Sequence, residues 1–148
     1  MYYPKPGDQL IRVLATGTFD LLHPGHVYFL NQAKAMGDEL FVIVARDSNV
    51  THKPKPIIPE EQRLEMVNAL GMVDKAVLGS ETDMFEPLEQ IRPDIITLGY
   101  DQKFDINSLE KELAKRGLPA KVVRIQFSKK CPFCSTGAII KEVLKRYG

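Results

Sequence analysis

The chain has 148 residues, 44% of them hydrophobic and 26% charged, which is the balance of an ordinary globular protein. Its 20 basic and 19 acidic side chains leave a formal charge of +1, so its overall charge does not favour nucleic acid or a membrane surface as partner. No apolar run approaches the length that spans a bilayer. The length suits a single domain, 1–148, and the opening MYYPKPGDQL lacks a signal-peptide shape, so we expect a cytoplasmic protein.

In the first half of the chain, strands and helices alternate. IRVLAT (11–16) is a short apolar run with β-branched residues and predicts a strand, and GHVYFLNQAKAMG (25–37) predicts a helix that stops at a glycine. ELFVIVA (39–45) is almost continuously apolar, as expected of a strand that is covered on both faces. After a polar loop at 46–59, PEEQRLEMVNALG (59–71) begins with proline and acids and predicts a second helix.

The second half continues the alternation. Apolar runs predict further strands at 74–79, 94–99 and 120–127, and amphipathic segments predict helices at 84–92, 105–117 and 135–148. Strands that alternate with helices predict an α/β fold, here a Rossmann-like, doubly wound, five-stranded parallel sheet with helices on both faces. Such sheets bind ligands at the carboxyl ends of their strands. Functional residues are therefore expected directly after the strands, at 17–26, 46–58, 79–83, 99–104 and 128–136.

Two of the three histidines lie in GTFDLLHPGH (17–26), between the first predicted strand and the first predicted helix. The free N–H groups and the dipole of a helix N-terminus favour an anion, imidazoles can donate hydrogen bonds to phosphate, and Gly25 lets a phosphate approach the backbone. A capped helix with two incidental polar residues would also explain the pattern. Zinc would need further ligands, of which Asp20 is the one nearby. The absence of G-x-G-x-x-G argues against dinucleotide binding of the dehydrogenase type.

All ten residues of GTFDLLHPGH resemble the signature of the cytidylyltransferase-like nucleotidyltransferases, whose core motif is H-x-G-H. KPKPIIPEEQRLEMV (53–67) resembles that family's basic loop and arginine-bearing helix, and LGYDQ (98–102) resembles a turn whose aspartate helps to hold the nucleotide. CPFCSTGAI (131–139) stands where the family has a Ser/Thr pair that opens the last helix, although Cys134 departs from the usual pattern. Within the family, KKCPFCST looks most like the archaeal FAD synthases.

The resemblance implies transfer of AMP from ATP to FMN, giving FAD and pyrophosphate, by direct in-line attack of the acceptor phosphate. It also implies a homodimer and a divalent metal, Mg²⁺ or a similar ion, held mainly by the nucleotide phosphates because the sequence has no compact carboxylate cluster. Two alternatives stay open. One is a cytidylyltransferase that acts on glycerol 3-phosphate or a related small phosphate, and the other is a non-catalytic nucleotide-binding module.

Site residues follow from the resemblance. The catalytic candidates are groups that would stabilise phosphate charge: His23, His26, Lys53 and Arg63. Lys53 could equally be a solvated surface charge, as could Lys55, and Arg63 could instead pair with Glu60 or another helix acid. The nucleotide-binding candidates are Thr18, Phe19, His23, His26, Asp101, Ser128, Lys130, Ser135 and Thr136, with Lys129 beside them. Asp20 is expected to orient a histidine, the local backbone or a metal-bound water.

Cys131 and Cys134 precede the last predicted helix. A cytoplasmic protein is not expected to use them as a routine structural disulfide. Two small residues that shape a tight turn, or half of a zinc site shared between subunits, are alternatives. We favour two accessible thiols beside Ser135 and Thr136, whose oxidation lowers activity and whose reduction restores it.

Overall fold

The computed structural model describes residues 3–5, 10–51, 54–99, 102–126 and 128–148. The strands are β1 (Arg12–Gly17), β2 (Glu39–Val44), β3 (Lys75–Leu78), β4 (Ile95–Leu98) and β5 (Lys121–Arg124). The helices are α1 (Pro24–Lys34), α2 (Glu60–Asn68), α3 (Glu86–Ile91), α4 (Ile106–Lys115) and α5 (Thr136–Tyr147). All strand pairs are parallel, in the order β3-β2-β1-β4-β5, which confirms the predicted sheet.

The sheet separates two apolar layers. Alternate residues of β1 face opposite sides, so Val13 packs with α1 and α2 while Leu14 packs with α3 and α4. In β2, Val42 and Ile43 divide between the same two layers. Burial on both faces explains why the central strands read as unbroken apolar runs.

Element boundaries differ from the predicted ones by a few residues. Helix α1 ends at Lys34, before Gly37, and the chain between them continues as a turn. β5 ends at Arg124, short of residue 127, and the Arg124 guanidinium donates to the Gly99 and Phe104 carbonyls. The polar loop at 46–59 contains one 3-10 turn, Asp47–Asn49.

Helix α5 makes little contact with the sheet. It carries no buried residue, and its apolar side chains include Leu144 at 62% exposure and Tyr147 at 84%. The predicted apolar face of the last helix is therefore present, but it is directed largely to solvent. Within the described ranges, no helix is long and apolar enough to cross a membrane.

The amino end of the sheet is closed by a buried arginine. Arg12 is 1% exposed, and its guanidinium donates to the carbonyls of Tyr3 (2.6 Å), Ile91 (2.7 Å) and Pro4 (3.1 Å) and to the Glu39 carboxylate (3.0 Å). A buried guanidinium is tolerated when its donors are satisfied, as they are here. Arg12 thereby ties the segment before β1 to β2 and α3.

Candidate active site

The carboxyl ends of β1 and β4 meet at the centre of the sheet. From β1 the chain proceeds outward to β2 and β3 on one side, and β4 then pairs with the other side of β1. This reversal of strand order is the place where open parallel sheets bind ligands. The histidine loop leaves β1 at this point, so the site predicted from sequence lies at the switch point of the sheet.

His23 is the N-cap of α1. Its Nδ1 accepts a hydrogen bond from the Gly25 N–H at 3.0 Å. A ring that accepts at Nδ1 is neutral and carries its proton on Nε2, which makes it a hydrogen-bond donor to an anion. Burial lowers the pKa of His23 from its ordinary value, which favours that neutral form.

His26 lies in the first turn of α1, against two other rings. Its ring stacks on His23 with centroids 3.7 Å apart and planes at 26°, and the Phe19 ring lies 5.3 Å away. Two imidazolium charges at this separation would repel each other, so the stack disfavours double protonation. The two histidines thus form one structural unit at the start of the helix.

Phe19 has an unusual backbone. Its φ is +56°, although its side chain is bulky and 3% exposed. The left-handed region is costly for such a residue and persists where the surroundings enforce it. A Cβ at Gly17 would lie 2.8 Å from the Phe19 ring, so the glycine is needed for this turn. The loop from 17 to 20 is therefore held in one shape.

Arg63 is buried in the protein and not exposed to a bound phosphate. Its side chain is fully buried, and it donates to the carbonyls of Thr18 (2.7 Å), Ala45 (2.8 Å) and Ile58 (2.8 Å) and to the Asp47 carboxylate (2.6 Å). With its donors committed to the protein, the guanidinium is not presented to the cleft. The alternative of an acidic partner holds, but the partner is Asp47 rather than Glu60.

Asp20 holds the loop that leads into α2. Its carboxylate accepts the N–H groups of Ile57 at 3.0 Å and Ile58 at 2.9 Å. Of the three roles open to Asp20, the geometry therefore supports orientation of the local backbone. The loop after β1 and the loop after β2 are joined by Asp20 from one side and by Arg63 from the other.

The N-terminus of α5 lies against the N-terminus of α1. Thr136 Oγ1 donates to the Leu21 carbonyl at 3.4 Å, and a Cβ on Gly25 would lie 2.7 Å from the Cys134 carbonyl oxygen. Gly25 is thus required by the close passage of the chain before α5, in addition to any approach of a phosphate. Ser135 caps α5 by accepting the Ala138 N–H at 3.1 Å. Two helix dipoles converge on one region.

Gln102 and Arg124 were not singled out from sequence, yet they shape the turn after β4. Gln102 accepts the Gly99 N–H at 2.7 Å and donates to Thr16 Oγ1 at 3.3 Å, which ties this turn to β1. Arg124 donates to the Gly99, Gln102 and Phe104 carbonyls. An arginine at the end of an apolar strand was the available signal for Arg124.

Sequence similarity to known proteins identifies the family. Residues 14–142 match the model of the cytidylyltransferase-like proteins, nearly the whole folded region. The chain belongs to the cytidylyltransferase-like family. It is 82% identical over 146 residues to the FAD synthase of Methanosarcina acetivorans, covering 99% of this chain and 97% of that protein. It is 81% identical over 147 residues to the FAD synthase of Methanosarcina mazei, with the same coverage of both.

Solved structures of similar fold include two informative examples. A Thermoplasma volcanium protein described as a lipopolysaccharide core biosynthesis protein is 48% identical, with a TM-score of 0.79, covering 82% of this chain and 99% of that one. The pantoate-β-alanine ligase of Francisella tularensis has a TM-score of 0.59 at 14% identity, covering 91% of this chain and 66% of that one. The second likeness concerns the fold alone.

In this member of the cytidylyltransferase-like family, the two cysteines form a disulfide. Cys131 and Cys134 are bonded to each other, with Cα atoms 5.3 Å apart, and neither is a free thiol. The expectation of two accessible thiols was wrong for this structure. The physical reason is the turn before α5, which brings the two Cα atoms within the range that a disulfide spans.

Other residues predicted from the sequence are exposed or lie outside the described residues. Lys53 and Asp101 lie outside the described residues. Ser128, Lys129 and Lys130 are exposed on the segment that leads to α5. On the other side of the site, Lys55 is exposed and its Nζ donates to the Asp47 carbonyl at 3.0 Å.

A cavity of about 380 Å³ lies beside β3 and α3, on the face of the sheet that packs against α3 and α4, and it extends from Tyr3 and Ile91 to Ser80 and Thr82. Its apolar wall includes Val77, Pro87 and Ile91, and its rim includes Ser80 and Thr82. Among the residues that the structure describes, no group of three or more His, Cys, Asp or Glu side chains could hold a metal ion.

Proposed function

We propose that this chain transfers AMP from ATP to FMN, giving FAD and pyrophosphate, by direct in-line attack of the FMN phosphate on the α-phosphate. The observation that carries the assignment is the 82% identity to a FAD synthase across 99% of the chain. The intact histidine pair at the switch point supports catalysis rather than nucleotide binding alone.

Donors at the carboxyl end of β1 would stabilise the charge that grows on the phosphates. The neutral His23 presents Nε2–H, His26 lies stacked beside it, and the N-terminal ends of the α1 and α5 dipoles lie next to each other. The acceptor phosphate has a second pKa of about 6 and is a competent nucleophile at neutral pH. Positioning and charge stabilisation therefore suffice, and no side-chain nucleophile is needed.

The remaining nucleotide contacts are assigned from the family resemblance. Thr18 and Phe19 would offer backbone groups to the nucleotide, and Asp101 would bind its ribose or base. Groups that would contact phosphates are Lys55 on one side of the site and Ser128, Lys130, Ser135 and Thr136 on the other, and the family resemblance adds Lys53, which lies outside the described residues. The capping role of Ser135 is compatible with this, because a capped helix end still presents N–H groups.

A divalent ion would enter with the nucleotide. Triphosphates bring about four negative charges, and Mg²⁺ is commonly bound by substrate phosphates and water with few protein ligands. The described residues offer no cluster of metal ligands, which fits an ion held by the substrate rather than by a protein cage. Such an ion would neutralise phosphate charge during the transfer.

The acceptor is proposed to extend from the histidines towards β3. The cavity beside β3 combines apolar residues such as Val77 with polar ones such as Arg46 and Ser80, and one side of it lies just beyond the carboxyl end of β3. Thr82 is an exposed rim residue, so Thr82→Trp should narrow this cavity and raise the KM for FMN without changing the KM for ATP. An unchanged KM for FMN would move the flavin to another part of the cleft.

A homodimer in the cytoplasm completes the proposal. The largely exposed apolar face of α5, with Val143, Leu144 and Tyr147, supports association, because apolar patches of this kind are typical of protein interfaces. Sedimentation of the wild type and of Leu144→Glu tests it. A monomeric wild type would contradict the dimer without bearing on the chemistry.

The decisive experiment measures pyrophosphate release and FAD formation with purified protein. ATP plus FMN with Mg²⁺ should give both products in equal amounts, and CTP plus glycerol 3-phosphate should give neither. A His23→Ala/His26→Ala double variant, prepared in the same way, controls for a contaminating enzyme. Turnover of CTP and glycerol 3-phosphate alone would favour a cytidylyltransferase, and no turnover of either pair would favour a binding module.

A further inference from the structure

Arg63 joins the exits of the first two strands. β1 and β2 run in register to Gly17 and Val44, and the ladder closes with a bond from the Ala45 N–H to the Gly17 carbonyl at 2.9 Å. The next carbonyls, those of Thr18 and Ala45, both accept from Arg63 Nη1. One buried guanidinium therefore takes over where the hydrogen bonds of the sheet end.

The bond to the Thr18 carbonyl also fixes the direction of the next N–H group. The described chain contains no cis peptide bond, and in a trans peptide the C=O and the following N–H point in opposite directions. Since Arg63 draws the Thr18 carbonyl inward, the Phe19 N–H is directed away from the guanidinium. None of the described residues accepts a hydrogen bond from it.

The shape of the Phe19 turn is held from several sides. Its φ of +56° is maintained by the bond on the preceding carbonyl and by a ring packed against His26 at 5.3 Å. Asp20, the next residue, is fixed by the two N–H groups that it accepts from Ile57 and Ile58. A costly backbone conformation with this much support is typical of functional sites.

We propose that Arg63 is a positioning residue that turns the Phe19 N–H towards the nucleotide phosphates. This inference rests on the proposed function, because it requires a nucleotide at the histidine loop. Arg63 itself does not touch substrate. Its effect passes through one peptide plane, and the Phe19 N–H supplies a donor whose hydrogen bond strengthens as charge grows on the phosphate oxygen.

The direct test observes the Phe19 amide by NMR in protein labelled with ¹⁵N-phenylalanine. The chain has seven phenylalanines, so the spectrum contains few resonances, and Phe19→Tyr assigns the relevant one. On addition of α,β-methylene-ATP with Mg²⁺, the Phe19 amide proton should move downfield more than the other six. In Arg63→Lys this displacement should be smaller.

Kinetics supply a second readout, with a matched control. Arg63→Lys should lower kcat at least about tenfold and change the KM for ATP less, because the lost donor acts mainly in the transition state. Arg12→Lys makes the same substitution at an equally buried arginine at the far end of the sheet. It should lower the melting temperature comparably and keep kcat within about twofold.

The outcomes separate the two proposals. The positioning role is overturned if nucleotide shifts other resonances but not the Phe19 amide, or if kcat is the same in Arg63→Lys and Arg12→Lys. Either result leaves the proposed function standing. If nucleotide shifts no resonance in the wild type, the proposed function is overturned, and this inference with it. If Arg63→Lys does not fold, Arg63→Gln is tested by the same two measurements. Its side chain can still donate to one carbonyl.

Discussion

Two buried arginines occupy opposite ends of the same sheet and bind similar sets of partners. Arg12 at the amino end and Arg63 at the carboxyl end each donate to three backbone carbonyls and one carboxylate. At the amino end, Arg12 joins the segment before β1 to β2 and α3 through hydrogen bonds to protein groups. At the carboxyl end, Arg63 with its similar set of partners supports the Phe19 turn, whose φ is positive and whose ring lies beside His26. Similar bonds can therefore serve stability at one edge and the site at the other.

The comparison predicts that changes at the carboxyl edge alter rate, whereas changes at the amino edge alter stability. The largest effect is expected at the histidines. His23→Ala and His26→Ala should each lower kcat by at least about 10²-fold, since each removes a group that stabilises phosphate charge. Steady-state pyrophosphate release measures the loss, and circular dichroism should show a retained fold. Wild-type turnover in either variant would show that this histidine at the carboxyl edge does not affect the rate.

A smaller effect is expected at Asp20. Asp20→Ala removes the acceptor for the Ile57 and Ile58 N–H groups and frees the loop that carries Lys55. We expect kcat/KM to fall about tenfold, since a loosened loop costs positioning rather than a charged donor. Kinetics with ATP and FMN measure it, and Asp38→Ala at the amino edge, which removes an acceptor from the Ile11 N–H, is the control. Equal losses in both variants would mean that the hydrogen bonds from Ile57 and Ile58 to Asp20 have no special role in activity.

The disulfide before α5 should give an effect of a few-fold. It holds the turn whose Cys134 carbonyl lies against Gly25, so reduction should free this segment and raise activity. Activity is measured after air oxidation and again after added dithiothreitol. The Cys131→Ser/Cys134→Ser variant should not respond to either treatment. A double variant that responds as the wild type does would assign the sensitivity to other groups.

The smallest effect is expected at the amino edge, from Asp94. Desolvation raises the pKa of its carboxyl, but the hydrogen bond from the Arg12 N–H and the ion pair with Lys5 outweigh this, and the pKa lies below its ordinary value. A lowered folded-state pKa stabilises the protein above the unfolded value of about 4, and this contribution is lost as the pH falls through the folded pKa.

Asp94→Asn should therefore reduce the free energy of unfolding at pH 7 by about 1 kcal/mol or less, since the group is partly exposed. The difference from the wild type should shrink below pH 4, and kcat should not change. Urea unfolding at pH 7 and at pH 3 measures this. A difference that is as large at pH 3 as at pH 7 would show that the carboxylate charge is not responsible.

Local patterns were enough to predict the sheet and the order of its strands and helices. Apolar runs and helix periodicity gave five strands and five helices in the right order, because burial on one or both faces imposes a period on each segment. GTFDLLHPGH could be placed at a strand–helix junction for the same reason. The same patterns placed His23 and Ser135 near the starts of helices, and the structure shows both as N-caps.

The sequence by itself thus determined the fold, the family resemblance and the placement of His23 and His26 at a helix N-terminus. Only the tertiary structure decided what Arg63, Asp20 and Gln102 do, since their partners lie 45, 37 and 86 residues away along the chain. It also decided that Cys131 and Cys134 are bonded. A charge in a sequence does not reveal whether it faces solvent, a phosphate or a buried carbonyl. That choice depends on which distant backbone groups lose their sheet partners and need a donor.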